Sequence, residues 1–157
     1  MIDAKRRILL KGSLAAGAVG VAVGAGLLTP RAVLAAWPEA AFKAKDVASG
    51  LKALLGSEAG EPGGDITIKA PDIAENGAVV PVSVDTTATG VKSITIIAEG
   101  NDTPLIASFN LGEDAIPSVS TRIKMAKTAN VQAVVQTADK VYTAAREVKV
   151  TIGGCGG

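Results

Sequence analysis

The sequence predicts a mainly β protein, an immunoglobulin-like antiparallel β-sandwich carrying a short N-terminal helical segment. Seven short runs rich in β-branched residues follow one another after Asp65, over about 90 residues, with turn residues and no helical pattern between them. Apolar residues alternate with polar ones at period two in Val80/Val82/Val84, Ile94/Ile96/Ala98 and Val148/Val150/Ile152, with Ser83, Thr95, Lys149 and Thr151 turned the other way. One face of each sheet is therefore expected to be buried and the other wet.

Taken in order, the chain opens with Lys5-Arg6-Arg7-Ile8-Leu9-Leu10-Lys11, an apolar Gly/Ala/Val run from Gly12 to Leu28, then Pro30 and Ala35-Ala36. These are the basic, apolar and small-residue regions of a cleavable export signal over residues 1–36, and the paired Arg6-Arg7 is similar to the twin-arginine type. The run is short for a bilayer span and is broken by glycines, so no stable membrane anchor is expected. This segment holds five basic residues and one acid. The remaining chain has 11 basic against 14 acidic residues, a net of −3, which leaves no basic footprint for nucleic acid or anionic membrane.

Residues 37–64 are expected to form an N-terminal helix and linker. Pro38 suits a first helical turn, and Val47, Leu51, Leu54 and Leu55 are spaced to share a face with Phe42 nearby. Gly50 weakens the middle of this helix, expected over Pro38–Leu55, and Gly56 is a natural stop. Ser57 to Gly64 have loop composition.

The sandwich is expected over residues 65–152. Its strands are Ile66–Lys69, Ala78–Asp85, Val91–Ala98, Leu105–Leu111, Ser118–Ala126, Val131–Thr137 and Val141–Ile152. Asn76-Gly77 and Glu99-Gly100-Asn101-Asp102 are expected to turn by adopting positive φ, and Ala138-Asp139-Lys140 to form a polar corner. Aromatic residues are scarce (Trp37, Phe42, Phe109 and Tyr142), so the core is modest, and an exposed apolar sheet face is expected to meet a partner subunit.

Residues 153–157 are Gly153-Gly154-Cys155-Gly156-Gly157 and hold the sole cysteine. Glycine lacks a Cβ and populates most of φ/ψ space, so these residues describe a flexible arm. At roughly 3.3–3.6 Å per residue, the five residues extend about 17 Å beyond the last strand, with the thiol at their middle. In an exported protein an unpaired cysteine points to an intermolecular bond or a reactive sulfur.

The chain contains no histidine, which removes Ser-His-Asp and Cys-His catalysis and every His-bearing metal site. No metal site and no cofactor are expected. Asp72 with Glu75, and Glu113 with Asp114, are better explained as solvated turn residues than as acid/base pairs. The nearest basic residue to Cys155 along the chain is Lys149, so activation of the thiol must come from whichever protein receives the arm. Ordering five arm residues in such a partner costs about 5–10 kcal/mol at 1–2 kcal/mol each, which keeps binding releasable. These properties suit a carrier of covalent cargo, with no catalytic residues of its own.

With the leader Arg6-Arg7, the segment Ile66-Thr67-Ile68-Lys69-Ala70-Pro71-Asp72-Ile73-Ala74-Glu75-Asn76-Gly77-Ala78-Val79-Val80-Pro81-Val82 and the terminal Gly153-Gly154-Cys155-Gly156-Gly157, the chain resembles the Y subunit of the sulfur carrier in the Sox thiosulfate-oxidation system. The resemblance implies a periplasmic protein that forms a heterodimer with a smaller Z subunit, itself a β-sandwich without a signal of its own. Twin-arginine export of folded protein would carry that partner along. It also implies a haem c enzyme that joins thiosulfate to Cys155 oxidatively and a dimanganese hydrolase that releases sulfate. A sulfur dehydrogenase, where present, oxidises the remaining sulfane sulfur. The family's covalent carrier position maps to Cys155, with Gly153, Gly154, Gly156 and Gly157 as its arm.

Two rival functions belong to other classes. An exported structural subunit could use Cys155 for an interchain disulfide. A ubiquitin-like carrier would use Gly156-Gly157 as a thiocarboxylate, a cytosolic role at odds with the leader.

Overall fold

In the computed structural model the described residues are 38–151. Residues 1–37 and 152–157 lie outside them, and with them the expected leader, the end of the last strand and the whole arm.

The helical segment is two helices, α1 (Glu39–Lys43) and α2 (Val47–Leu55), where one was expected over Pro38–Leu55. The break falls at Ala44–Asp46 rather than at Gly50. Asp46 is extended (φ −137°, ψ 157°) and its carboxylate accepts the Ser49 N–H at 2.8 Å, so it caps a new helix and competes with continuation of the old one. Gly56 ends α2 in the left-handed conformation (φ 75°), as expected. Val47, Leu51 and Leu55 of α2 pack on Ile97, Val134 and Val141, forming a small second core.

The strands are β1 (Glu61–Pro62), β2 (Ile66–Lys69), β3 (Ile73–Ala74), β4 (Val80–Thr86), β5 (Val91–Ala98), β6 (Leu105–Asn110), β7 (Ser118–Ile123), β8 (Ala129–Thr137) and β9 (Val141–Val150). Strands β2 and β5 have the bounds their alternation predicts. β4 starts two residues late at Val80, β6 stops at Asn110, β7 stops at Ile123, and β8 begins two residues early at Ala129. The two-residue strands β1 and β3 were not expected.

Two sheets face each other, one ordered β1-β9-β8-β5-β6 with β3 also pairing to β9, the other β2-β4-β7. The long pairings are antiparallel, such as Ala129↔Val148 to Gln136↔Val141 between β8 and β9. β1 and β3 instead run parallel to β9, one at each of its ends. Between the sheets lies one core, in which Val80, Val82, Val84, Ile94, Ile96, Val131, Ala133, Val135 and Val148 have no exposed surface. A sandwich of this kind is what the alternation foretold.

The faces depart from the expected pattern. β5 is buried on both sides, because α2 covers Ile97 while Thr95 is satisfied at 3.0 Å by the hydroxyl of Ser108. The outer face of the three-stranded sheet is polar, with Ser83 bonded to Ser120 and Ser118 to Asp85. No apolar sheet face is open among the described residues: the exposed large apolar side chains are Ile73, Val79 and Ile116, all outside the long strands.

The two turns expected to need positive φ do without it. At Asn76 the side-chain oxygen accepts the Ala78 N–H (2.9 Å), and at Asn101 the side-chain amide bonds Lys124 O (2.7 Å) and Ala126 N (2.8 Å). Gly100 is needed for space instead: a Cβ there would sit 2.8 Å from that of Ala129. The polar corner at Ala138-Asp139-Lys140 forms as expected, closed by Thr137 N–H to Lys140 O (2.8 Å) and Lys140 N–H to the Thr137 hydroxyl (3.1 Å).

Candidate functional site

Cys155, Gly153, Gly154, Gly156, Gly157, Arg6 and Arg7 all lie outside the described residues, so what the structure defines is the platform that Cys155 leaves from. Its last described position is Thr151, four residues before Cys155.

The platform is the end of β9. Val148 is fully buried and Val150 half-buried, both packed in the main core, while Lys149 and Thr151 face outward. Two flanks then tie the strand down to its end. On one side β3 lies parallel to it in the register Ile73↔Lys149 and Ala74↔Val150, with Lys149 N–H bonded to Asp72 O (3.0 Å) and Thr151 N–H to Ala74 O (3.2 Å). On the other, Thr128 Oγ1 accepts the Val150 N–H at 2.9 Å.

Arg146 braces β3 from within. One guanidinium nitrogen donates to Asp72 Oδ1 (2.7 Å) and the other to Ile68 O (3.4 Å), so a single side chain joins β9, the end of β2 and the turn into β3. Asp72 thus holds β9 through its side chain and its backbone together. Of the four carboxylates considered as acid/base groups, Asp72 is in an ion pair, and Glu75, Glu113 and Asp114 are exposed.

Further loops complete this end of the sandwich. Met125 N–H bonds Gly77 O (2.7 Å), fastening the 75–79 turn under the 124–128 loop, and the Asn101 amide fastens that loop to the β5–β6 connection. Sequence reasoning missed the β3 clip, Asp72, Arg146 and Thr128. One signal was present: Ile73 and Ala74 are an apolar pair between turn residues, inside the Ile66–Val82 segment already singled out.

Among the described residues no group of three or more His, Cys, Asp or Glu side chains could hold a metal ion. No helix among them is long and apolar enough to cross a membrane. The hydrogen bonds of the platform fix where residue 151 stands.

The family model for the sulfur oxidation protein SoxY matches residues 51–155, a span that runs from α2 to Cys155. This chain belongs to the SoxY family. Among solved structures, it is 46% identical to the sulfur carrier protein SoxY from Chlorobium limicola f thiosulfatophilum, covering 73% of this chain and 99% of that one with a TM-score of 0.62. A superoxide reductase (neelaredoxin) from Ignicoccus hospitalis is 18% identical over 54% of this chain and 79% of its own, with a TM-score of 0.49, too remote to bear on function. No curated protein sequence matches significantly. Membership in the SoxY family accords with the resemblance carried by the Ile66–Val82 segment and the terminal pentapeptide.

Proposed function

We propose that this chain is a periplasmic sulfur-carrier subunit that holds thiosulfate-derived intermediates covalently on Cys155 and presents them to the enzymes of a thiosulfate-oxidising system. The observation that carries the proposal is the family match that extends to Cys155, supported by 46% identity to a protein described as a sulfur carrier. Arg6-Arg7 and the following apolar run support export, with residues 1–36 removed as a signal, 37–64 forming helix and linker, 65–152 the sandwich and 153–157 the arm.

The thiol of Cys155 and thiosulfate join with loss of one proton and two electrons, giving a Cys-S-S-SO₃⁻ adduct; the electrons pass to a haem c partner. Water then attacks the terminal sulfonate in a dimanganese hydrolase, releasing sulfate and one proton and leaving the persulfide Cys-S-SH at Cys155. A sulfur dehydrogenase, where the cell has one, oxidises that sulfane sulfur. A Z subunit completes the carrier as a heterodimer. This chain contributes the sulfur atom and its position; the bond-making groups belong to the partners.

The deciding variant is Cys155→Ser. It is expected to fold and to keep the Z subunit while abolishing thiosulfate-dependent electron release in a reconstituted system, and intact mass of the native protein should show sulfur or thiosulfonate adducts on Cys155. Unimpaired turnover by the serine variant, or dimer as the sole modified form, would overturn the carrier function and favour an interchain disulfide.

A further inference from the structure

The end of the sandwich that carries the arm displays two large apolar side chains left half-exposed by the described residues, Ile73 at 55% exposure and Val79 at 52%. They flank the segment that clips β9. Ile73 sits in β3 opposite Lys149, two residues before the end of the described chain, and Val79 ends the turn held by Asn76, its N–H on Asn76 O at 3.3 Å. Singly exposed apolar residues are ordinary on a protein surface, so it is their place beside the root of the arm that makes these two notable.

Reach decides what that is. Cys155 follows Thr151 by four residues, so its Cα lies at most about 14 Å from that of Thr151, at 3.3–3.6 Å per residue. A reacting group shielded from water by one layer of secondary structure lies about 10 Å inside its protein. Subtracting that depth leaves about 4 Å between the mouth of such a cleft and the root of the arm, which is contact distance between side chains. A protein that takes the thiol into a shielded cleft must therefore press its rim on the surface around Thr151.

If the chain is the carrier proposed above, we infer that Ile73 and Val79 are the docking contacts for the apolar rim of the cleft in each enzyme that acts on the Cys155 adduct. Two half-exposed side chains suit a transient encounter, below about 1,200 Å² of buried surface, and not a permanent subunit interface, which is larger and more apolar. One patch then serves successive enzymes, because each must come equally close to Thr151. Release remains fast for the same reason that the patch is small.

The test adds purified protein, as its native complex, to a thiosulfate-oxidising extract from cells lacking their own copy, and records rate against carrier concentration. Ile73→Glu/Val79→Glu is expected to raise the half-saturating concentration roughly tenfold with the maximal rate unchanged. Cys155 should still react with iodoacetamide at the original rate. Ile116→Glu, which alters the exposed apolar residue at the other end of the sandwich, should leave both parameters unchanged. Should the glutamates impair folding, Ile73→Ser/Val79→Ser keeps the question open to measurement, with a smaller rise expected in the same direction. An unchanged half-saturating concentration overturns the docking surface, as does an equal rise with Ile116→Glu. Loss of the co-purifying smaller subunit overturns it too, by assigning the patch to the permanent partner. A Cys155→Ser control that still supports turnover would instead remove the carrier function itself, a separate outcome.

Discussion

The two ends of the sandwich are built by different means. β9 starts at Val141 beside one end and finishes at Val150 at the other, about 30 Å away at 3.3 Å per residue. Gly63, Gly64, Asp65 and Gly90, with φ of 143°, 73°, 43° and 66°, all lie at the Val141 end, in tight backbone turns. So do the described cavities, among them one of about 530 Å³ lined in part by Val91, Leu111, Pro117 and Ala138. Side chains bond backbone at both ends, Thr86 to Gly64 O and Thr137 to Lys140 O at the first, but at the Thr151 end Asn76, Asn101, Thr128 and Arg146 do so with no positive φ among the described residues beside them. The first end closes the fold through turn geometry, whereas the second fixes one residue, Thr151, as the root of a reactive segment. The proposed carrier function needs the second only, so damage to the first should cost stability without altering transfer.

The largest effect expected is at the Val141 end. Gly64 stands at φ 73°, and a Cβ there would lie 2.8 Å from Cγ of Tyr142 and 2.9 Å from its Cβ. Left-handed backbone costs an L-residue about 1–2 kcal/mol, and crowding against a packed ring about 1–3 kcal/mol more. Gly64→Ala should lower unfolding free energy by about 2–5 kcal/mol in denaturant titration, while each molecule still folded carries sulfur at the original rate. A fall in transfer per folded molecule would show that the two ends are coupled.

A smaller effect is expected at the Thr151 end from Asp72→Ala. Its ion pair with Arg146 is exposed, so its loss should cost less than about 1 kcal/mol. The backbone bond from Lys149 N–H to Asp72 O survives, yet β3 loses its brace. Amide hydrogen exchange at Lys149 and Thr151 should then quicken several-fold with little change in melting temperature. Destabilisation as large as that of Gly64→Ala would erase the distinction between the ends.

The same division governs what the sequence discloses. Strands β2 and β5 carry their bounds in local alternation of Ile, Val and Thr. Gly56 announces the end of α2 by residue type alone. The break before Val47 was overlooked because Asp46 and Ser49 form a capping pair inside a stretch whose apolar spacing also fits one longer helix. β1 and β3 have only two residues each, too few for a period, and their partners on β9 lie more than 70 positions further along the chain. The proposed carrier position, Cys155, rests on composition, since a lone thiol among glycines is a local fact. The root that positions it is not local: Thr128 to Val150 and Arg146 to Asp72 span 22 and 74 positions.

The smallest effect expected is one of pH, and it tests whether the Val141 end also draws on side-chain electrostatics. Asp85, on β4 toward that end, has its carboxyl held below the usual range, first by the Ser118 hydroxyl (2.6 Å) and then by Lys69, whose ammonium lies 2.9 Å from Oδ2. A carboxylate with a lowered folded-state pKa adds stability that is fully present above the unfolded value of about 3.9 and fades as pH falls through the folded one. Ser118→Ala removes the leading cause, so its melting temperature should lie a constant interval below that of the original protein from pH 7 down to about 5. Below about pH 4 the interval should narrow, as the carboxyl is protonated first in the variant and then, at lower pH, in the original protein, where the Ser118 hydroxyl favours the ionised form. Asp46, lowered by Ser49 at the start of α2, titrates alike in both proteins and cancels from the difference. A gap that stays constant through the acid range would mean that Ser118 stabilises the sheet through packing alone, leaving the Val141 end held by backbone geometry without help from charge.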